Sequence, residues 1–266
     1  MDDATTLGGQ VVVSRDAAIA TITLSHPGKL NALSVAMWGA LGEAVISLGQ
    51  EADVRCIVIR GADRNFAAGA DIAEFPAARG SAQGVYHYHE AVLAPTLRAI
   101  SHCPHPTVAL VEGVCVGGGL EIAGACDLRI AGESARFGIP INRLGFPMAP
   151  GELEGLLALV GRATALELLL EGRILGAAEA LTKGLVTRVV VDADVEAEAY
   201  RCAHHIAQGA PIAARINKQT IRRLSPAPAP LSEAELQTFF SYWDTFDHQE
   251  GIAAFLAKRA PGFENR

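Results

Sequence analysis

The sequence predicts an α/β fold in which a parallel sheet is covered by helices and followed by a helical tail. Three observations predict it. Short apolar runs of strand length alternate with stretches of helical spacing at crossover separations, and strands joined in that way run parallel. Two regions after strand-like runs turn through small residues into a helix, Ala68-Gly69-Ala70-Asp71 and Gly117-Gly118-Gly119-Leu120-Glu121. From about residue 150 the pattern becomes mostly helical.

Taken in order, Val11-Val12-Val13 and Ile19-Ala20-Thr21-Ile22-Thr23-Leu24 read as the strands of a hairpin, and His26-Pro27-Gly28 breaks the pattern. Residues 34–50 are rich in Ala and Leu at helical spacing, with Ser34 placed as the N-cap. Cys56-Ile57-Val58-Ile59 is a short buried strand leading through Gly61 towards the first corner. Residues 84–100 read as helix, and Thr107 to Val111 as a strand that feeds the glycine triplet. A helix from about Leu120 to Ala125 and a strand at Leu128-Arg129-Ile130 follow.

In the later part, Val186 to Val191 is the expected strand and Pro211 opens a helix. Ser225-Pro226-Ala227-Pro228-Ala229-Pro230 is a stiff break, with helices expected at about 231–243 and 248–258. A soft boundary near residue 200 separates an α/β core, residues 1–200, from a helical region, residues 201–266. The tail holds Phe239, Phe240, Trp243, Phe246 and Phe255. That many aromatic rings are expected to pack on the core or on another subunit.

Hydrophobic residues make up 50% of the 266 and charged residues 19%, which argues against disorder. A formal net charge of −7 disfavours a nucleic-acid surface. The longest apolar runs, such as Val108-Ala109-Leu110-Val111, are far too short to cross a bilayer. Met1-Asp2-Asp3-Ala4 is acidic and has no apolar signal core, so a cytosolic (cytoplasmic) location is expected, an organellar processed form being the alternative. Cys56, Cys103, Cys115, Cys126 and Cys202 are odd in number and show no CxxC spacing. They read as buried free thiols, and neither a disulfide framework nor a zinc site is expected.

The two corners are where chemistry is expected. Glycine lets a backbone approach a ligand closely, and the first N–H groups of a helix have no partner within it. Such donors favour negative charge. If the two strands are neighbours, one N–H from each corner converges on a single oxygen and forms an oxyanion hole; losing one such donor typically costs ~3–4 kcal/mol in the transition state. Glu121 then adds proton transfer. The same glycines also permit tight strand–helix packing, and Glu121 also suits a helix start as a structural carboxylate.

Several short motifs occur in one order: Asn31-Ala32-Leu33, Phe66-Ala67-Ala68-Gly69-Ala70-Asp71-Ile72, Val116-Gly117-Gly118-Gly119-Leu120-Glu121 and Cys126-Asp127-Leu128-Arg129-Ile130-Ala131. Ala135-Arg136-Phe137-Gly138, Val160-Gly161-Arg162, Gly184-Leu185-Val186 and the stretch from Glu250 to Arg259 continue the series. Together they resemble the crotonase (enoyl-CoA hydratase/isomerase) superfamily from about Ile22 onward. The resemblance implies a crotonase-like spiral of ββα units with a C-terminal helical trimerisation region, working as a homotrimer or a dimer of trimers. It implies an acyl-CoA thioester as substrate, with coenzyme A part of that substrate and no separate cofactor or metal. It assigns the thioester oxygen to the N–H groups of Ala70 and Gly118, and proton transfer to Glu121. Lys29, Leu30, Ala32, Ala68, Asp71, Ile72 and Gly117 would line the CoA site, with Phe255 and Lys258 contributed by the tail, whether of the same or a neighbouring subunit.

One departure stands out. Hydratases of this family resemble one another in a second glutamate, in a Pro-Glu step before a Leu-Gly pair. This sequence reads Gly138-Ile139-Pro140-Ile141-Asn142-Arg143-Leu144-Gly145, with Ile141 in that position. Isoleucine cannot transfer a proton, and a positioned acid or base usually contributes ~10²–10⁴-fold. Three readings follow: Glu121 serves both steps through one water, Glu152 or Glu154 enters the site, or the reaction needs one base, as in a double-bond shift or another enolate reaction. A catalytically silent acyl-CoA binder is the further alternative. His87 and His89 read as solvated positions on a helix, His204 and His205 as surface residues, and Arg143 as half of a structural ion pair, with contact to an acidic or polar acyl group as the alternative.

Overall fold

The computed structural model describes residues 8–225 and 231–264. The acidic N-terminal residues Met1 to Ala4 and the proline run from Pro226 to Pro230 lie outside the described residues. A six-stranded sheet has the order β1 (Gln10–Asp16), β2 (Ile19–Ser25), β3 (Cys56–Gly61), β4 (Thr107–Val111), β6 (Leu128–Gly132), β9 (Arg188–Val190). β1 pairs antiparallel with β2, Val12 opposite Thr23, as the hairpin reading expects. The other four pairings are parallel. A second sheet joins β5 (Val114–Val116), β7 (Arg136–Gly138) and β8 (Ile174–Gly176).

The central strands are mostly apolar, with Arg60 and Arg129 as the charged exceptions, because both faces of the sheet are covered. On one face Cys56, Val58, Val108, Leu110 and Ile130 meet Val195, Ala199, Cys202 and Ala203 of the helix Val195–Gln208. On the other, Ile22, Leu24, Ile57, Ile59, Ala109 and Val111 join the main core with Met37, Trp38 and Leu41 of the helix Val35–Gly49. Ser34 caps that helix, its hydroxyl accepting from Met37 N at 3.1 Å. All five cysteines are free and buried, and burial pushes the Cys56 and Cys126 thiols up to about 12. Among the described residues no helix is long and apolar enough to cross a membrane.

Four expectations need correction. Thr107 to Val111 does not feed the glycine triplet: Gly113, at φ +52°, turns the chain out of the first sheet, and β5 of the second sheet carries the corner. β7 and β8 were not expected, because three residues are too few to show an alternation. The helix at 84–100 is not uniform, since a π-helical stretch, His87–Leu93, joins Ala82–Tyr86 to Ala94–His102. Pro95 has no N–H to give an earlier carbonyl, and Ala94 N bonds to His89 O, five residues back. The boundary near residue 200 falls inside the helix Val195–Gln208, which belongs to the core it covers.

The tail folds back on its own chain. Its helices are Pro211–Leu224, Glu233–Phe240 and Phe246–Leu256. Phe240 is buried with Val85 and Ala149, and Trp243 Nε1 donates to Arg79 O at 2.9 Å. The last helix crosses the turn Ile141–Leu144 so closely that a Cβ on Gly251 would lie 2.4 Å from Leu144 C.

Candidate active site

The two glycine corners touch. Gly69 and Gly117 both have positive φ, +93° and +52°. A Cβ on Gly69 would lie 3.1 Å from Val116 O and 3.6 Å from Gly118 N. The strands β3 and β4 are neighbours as expected, and a bridge between Ala67 and Cys115 brings the corners themselves together. Ala67 N donates to Val114 O at 2.9 Å, and Val116 N to Ala67 O at 3.0 Å.

That bridging decides which amides are used up. Leu33 N donates to Gly69 O at 2.7 Å and Asp71 N donates to Leu33 O at 2.8 Å. In a parallel bridge of this kind the middle residue, Ala70, turns its own N–H to the other edge. Gly117 N donates to Gly138 O at 2.8 Å, while Gly118 is the first residue of the helix Gly118–Ala125. No backbone carbonyl among the described residues accepts from the N–H of Ala70 or of Gly118. Gly118 must stay small, since a Cβ there would lie 2.7 Å from Trp38 Cζ2.

Glu121 stands in the first turn of that helix. Its Oε2 is shielded and has no hydrogen-bond partner. Burial, and then the charge of Glu152, hold its carboxyl well above the ordinary range. Glu152 comes from the first turn of the helix Pro150–Leu166 and is 5% exposed. Burial pushes it up to about 8 against the pull of the Arg79 guanidinium. Two carboxyl groups near enough to feel each other and out of water favour sharing a proton. Glu154, two residues on, is exposed, and Ile141 is half-buried against the core.

His89 is the residue that the sequence reading missed. It is 2% exposed, and its Nδ1 lies 2.5 Å from Glu152 Oε1. Burial and the Arg79 charge hold its pKa well below the ordinary value. Burial thus favours the neutral form of both partners. Both directions favour a carboxyl that donates to a neutral Nδ1; Nε2 has no hydrogen-bond partner among the described residues. A signal was available: His89 lies four residues from both Val85 and Leu93, which are core residues. His87 is exposed as expected, as are His204 and His205. Arg143 is exposed and forms no ion pair with the described residues, so its expected structural pairing is absent there.

The expected CoA-site residues form one patch and two outliers. Lys29 Nζ lies 2.6 Å from Asp71 Oδ2, and Asp71 Oδ1 accepts from Ala73 N at 3.3 Å. Asp71 therefore holds the corner in place with both oxygens. Ala68 N donates to Leu30 O at 3.0 Å, and the Leu30 side chain is left 52% exposed. Ala32 is buried beneath this turn, and Ile72 opens the 3₁₀ turn Ile72–Glu74. Phe255, 52% exposed, and Lys258 lie at the end of the last helix, and no side-chain hydrogen bond or ion pair ties either to the patch in this chain.

The buried acids predict a pH dependence of stability. A carboxyl whose folded pKa is raised binds more protons folded than unfolded, so stability falls as pH rises from its unfolded value through the folded one. For Glu152 that window runs from about 4.5 to about 8. His89 and His248, the latter lowered to about 4, act oppositely, but only below the ordinary value of 6.5. Between pH 6.5 and 8 the carboxyl effect therefore stands alone. Urea unfolding is expected to lose on the order of 1–2 kcal/mol over that interval, and Glu152→Gln to flatten the decline. A curve that rises there would refute the shifted carboxyls.

The architecture is the crotonase fold, which the chain shares with solved structures of acyl-CoA enzymes. It matches an enoyl-CoA hydratase/carnithine racemase from Magnetospirillum magneticum with 44% identity and a TM-score of 0.79, covering 96% of each chain. A methylmalonyl-CoA decarboxylase in complex with 2-nitronate-propionyl-CoA matches with 30% identity and a TM-score of 0.86, covering 96% of this chain and 98% of that one. The sequence is 37% identical over 262 residues to a protein of Mycobacterium bovis named "Probable enoyl-CoA hydratase", covering 96% of this chain and 98% of that protein. The family model for enoyl-CoA hydratase/isomerase matches residues 14–266. The chain belongs to the enoyl-CoA hydratase/isomerase family.

Proposed function

We propose that the protein is a lyase of the enoyl-CoA hydratase type, acting on an acyl-CoA thioester through an enolate. The observation that carries this reading is a pair of glutamates, Glu121 with its shielded Oε2 and the buried Glu152, beside two touching glycine corners. The unbonded N–H groups of Ala70 and Gly118 take the thioester oxygen and stabilise the charge it gains. One carboxylate orients water and removes its proton as the hydroxyl adds to Cβ. The other, kept neutral by its neighbour, delivers a proton to Cα. Glu152 thus supplies from a different helix the acid that Ile141 cannot.

Lys29, Leu30, Ala32, Ala68, Ile72 and Gly117 form the CoA-binding edge, with Asp71 positioning Lys29. Phe255 and Lys258 reach the CoA of a neighbouring subunit, since in their own chain they point to solvent. Exposed Ile212, Ile216, Ile221 and Leu224 on the helix Pro211–Leu224 support association into a homotrimer or a dimer of trimers. Coenzyme A enters as part of the substrate, with no separate cofactor.

A second reading rests on Ile141: Glu121 alone shifts a double bond or forms an enolate in another lyase or hydrolase reaction. Purified protein with crotonyl-CoA separates the two. Loss of the conjugated enoyl absorbance is the expected result. Inertness towards crotonyl-CoA, with conversion of a 3-enoyl-CoA, would establish isomerisation instead.

A further inference from the structure

Among the described residues, Arg79 is a buried cation with no ion-pair partner. It is 4% exposed. Its guanidinium lies 4.3 Å from the ring centroids of both Phe75 and Phe146, which meet each other edge-to-face at 6.0 Å. Its Nη2 donates to Tyr242 OH at 3.0 Å, whereas Nε and Nη1 are buried with no hydrogen-bond partner. Aromatic rings attract the cation, but they offer no oxygen acceptor to Nε and Nη1.

A buried arginine that serves only the fold looks different in this same chain. Arg129 donates from Nε to Leu185 O at 2.9 Å and from Nη1 to Cys126 O at 2.6 Å and Ala123 O at 3.3 Å. Arg79 has no such backbone acceptors. A charge left unpaired in a dry site is costly unless something else completes it.

Its surroundings place it at the site. Its guanidinium lies 5.5 Å from the Tyr88 ring centroid, and the next residue, His89, bonds Glu152 at 2.5 Å. The guanidinium itself has no ion-pair partner among the described residues. Phe75 and Tyr88, packed edge-to-face at 5.9 Å, give it apolar walls.

We infer that the acyl group bound here carries its own carboxylate, which Arg79 receives on its free N–H donors. The substrate class is then a CoA thioester of a dicarboxylic acid. This inference rests on the acyl-CoA reading above, and it adds a specificity-determining residue. Guanidinium and carboxylate match in plane and in charge, and such charge-assisted bonds are the strong ones.

Calorimetry on the wild-type protein tests it without requiring turnover. Succinyl-, glutaryl- and adipyl-CoA are each compared with the neutral thioester that has a branched methyl end in place of the carboxylate. At least one acid is expected to bind about tenfold tighter or more than its neutral counterpart. In Arg79→Met the ratio is expected to fall to near one, and Arg79→Lys to restore part of it. A wild-type ratio of one or below for all three pairs would overturn the inference, whether or not the methionine variant folds. If no thioester of either kind binds, the acyl-CoA reading itself fails and takes this one with it. Binding of the neutral thioesters alone leaves that reading standing and sinks only the role of Arg79.

Discussion

Glu121→Gln is expected to lower kcat by roughly 10³–10⁴-fold, the upper part of the range for a positioned acid or base. Glutamine keeps the shape and can still hold a water by hydrogen bonds, but it neither donates nor accepts a proton at neutral pH. The loss should fall on kcat, with binding of a saturated acyl-CoA little changed, because the proposed CoA edge at Lys29, Leu30 and Ala68 lies on the other corner. Steady-state kinetics with calorimetry measures both. Equal turnover in variant and wild type on the true substrate would remove Glu121 from the mechanism.

Glu152→Gln is expected to cost roughly 10²–10³-fold in kcat. Its effect separates the two reactions considered above. If water is added, both carboxyl groups handle protons, and the double variant with Glu121→Gln falls little below the worse single variant, because a broken pair cannot be broken twice. If the protein only shifts a double bond with Glu121 as its base, Glu152→Gln acts through the electrostatics of Glu121 and costs far less. His89 bonds Glu152 at 2.5 Å and fixes where that carboxyl points. A loss below about threefold in Glu152→Gln, with the structure intact, would leave Glu152 as packing.

Much of the fold was legible because its signals are local. Apolar runs such as Cys56 to Ile59 and Thr107 to Val111 read as strands, since both faces of the sheet are covered and nothing interrupts the apolar pattern. Ser34 announced the helix that it caps. β7 and β8 stayed hidden because three-residue strands owe their conformation to their partners. The π-helical stretch was equally silent, since a register shift leaves no periodic trace.

The glycine corners were legible for the same local reason, as positive φ at Gly69 and Gly117 demands residues without a Cβ. How the corners meet was not. Their contact depends on a bridge between Ala67 and Cys115, 48 residues apart in sequence, and on Leu33 bonding on either side of Ala70. Glu152 appeared in the sequence only as one of three ways round Ile141. Its identity as a buried acid depends on the helix Pro150–Leu166 bringing it against His89 and towards Glu121. Arg79 gave no sign at all, because a lone cation among small residues before a turn reads as solvated until the tail packs over it through Tyr242 and Trp243.

The central claim is that one thioester oxygen sits between two main-chain amides. A crystal structure with a bound, unreactive acyl-CoA tests it most directly. The account predicts the thioester oxygen at about 2.7–3.1 Å from both Ala70 N and Gly118 N, the hydrogen-bond range of an oxyanion hole, with Cα and Cβ turned towards Glu121 and Glu152. An oxygen bound to neither amide, or an acyl chain lying away from both carboxyl groups, would contradict it.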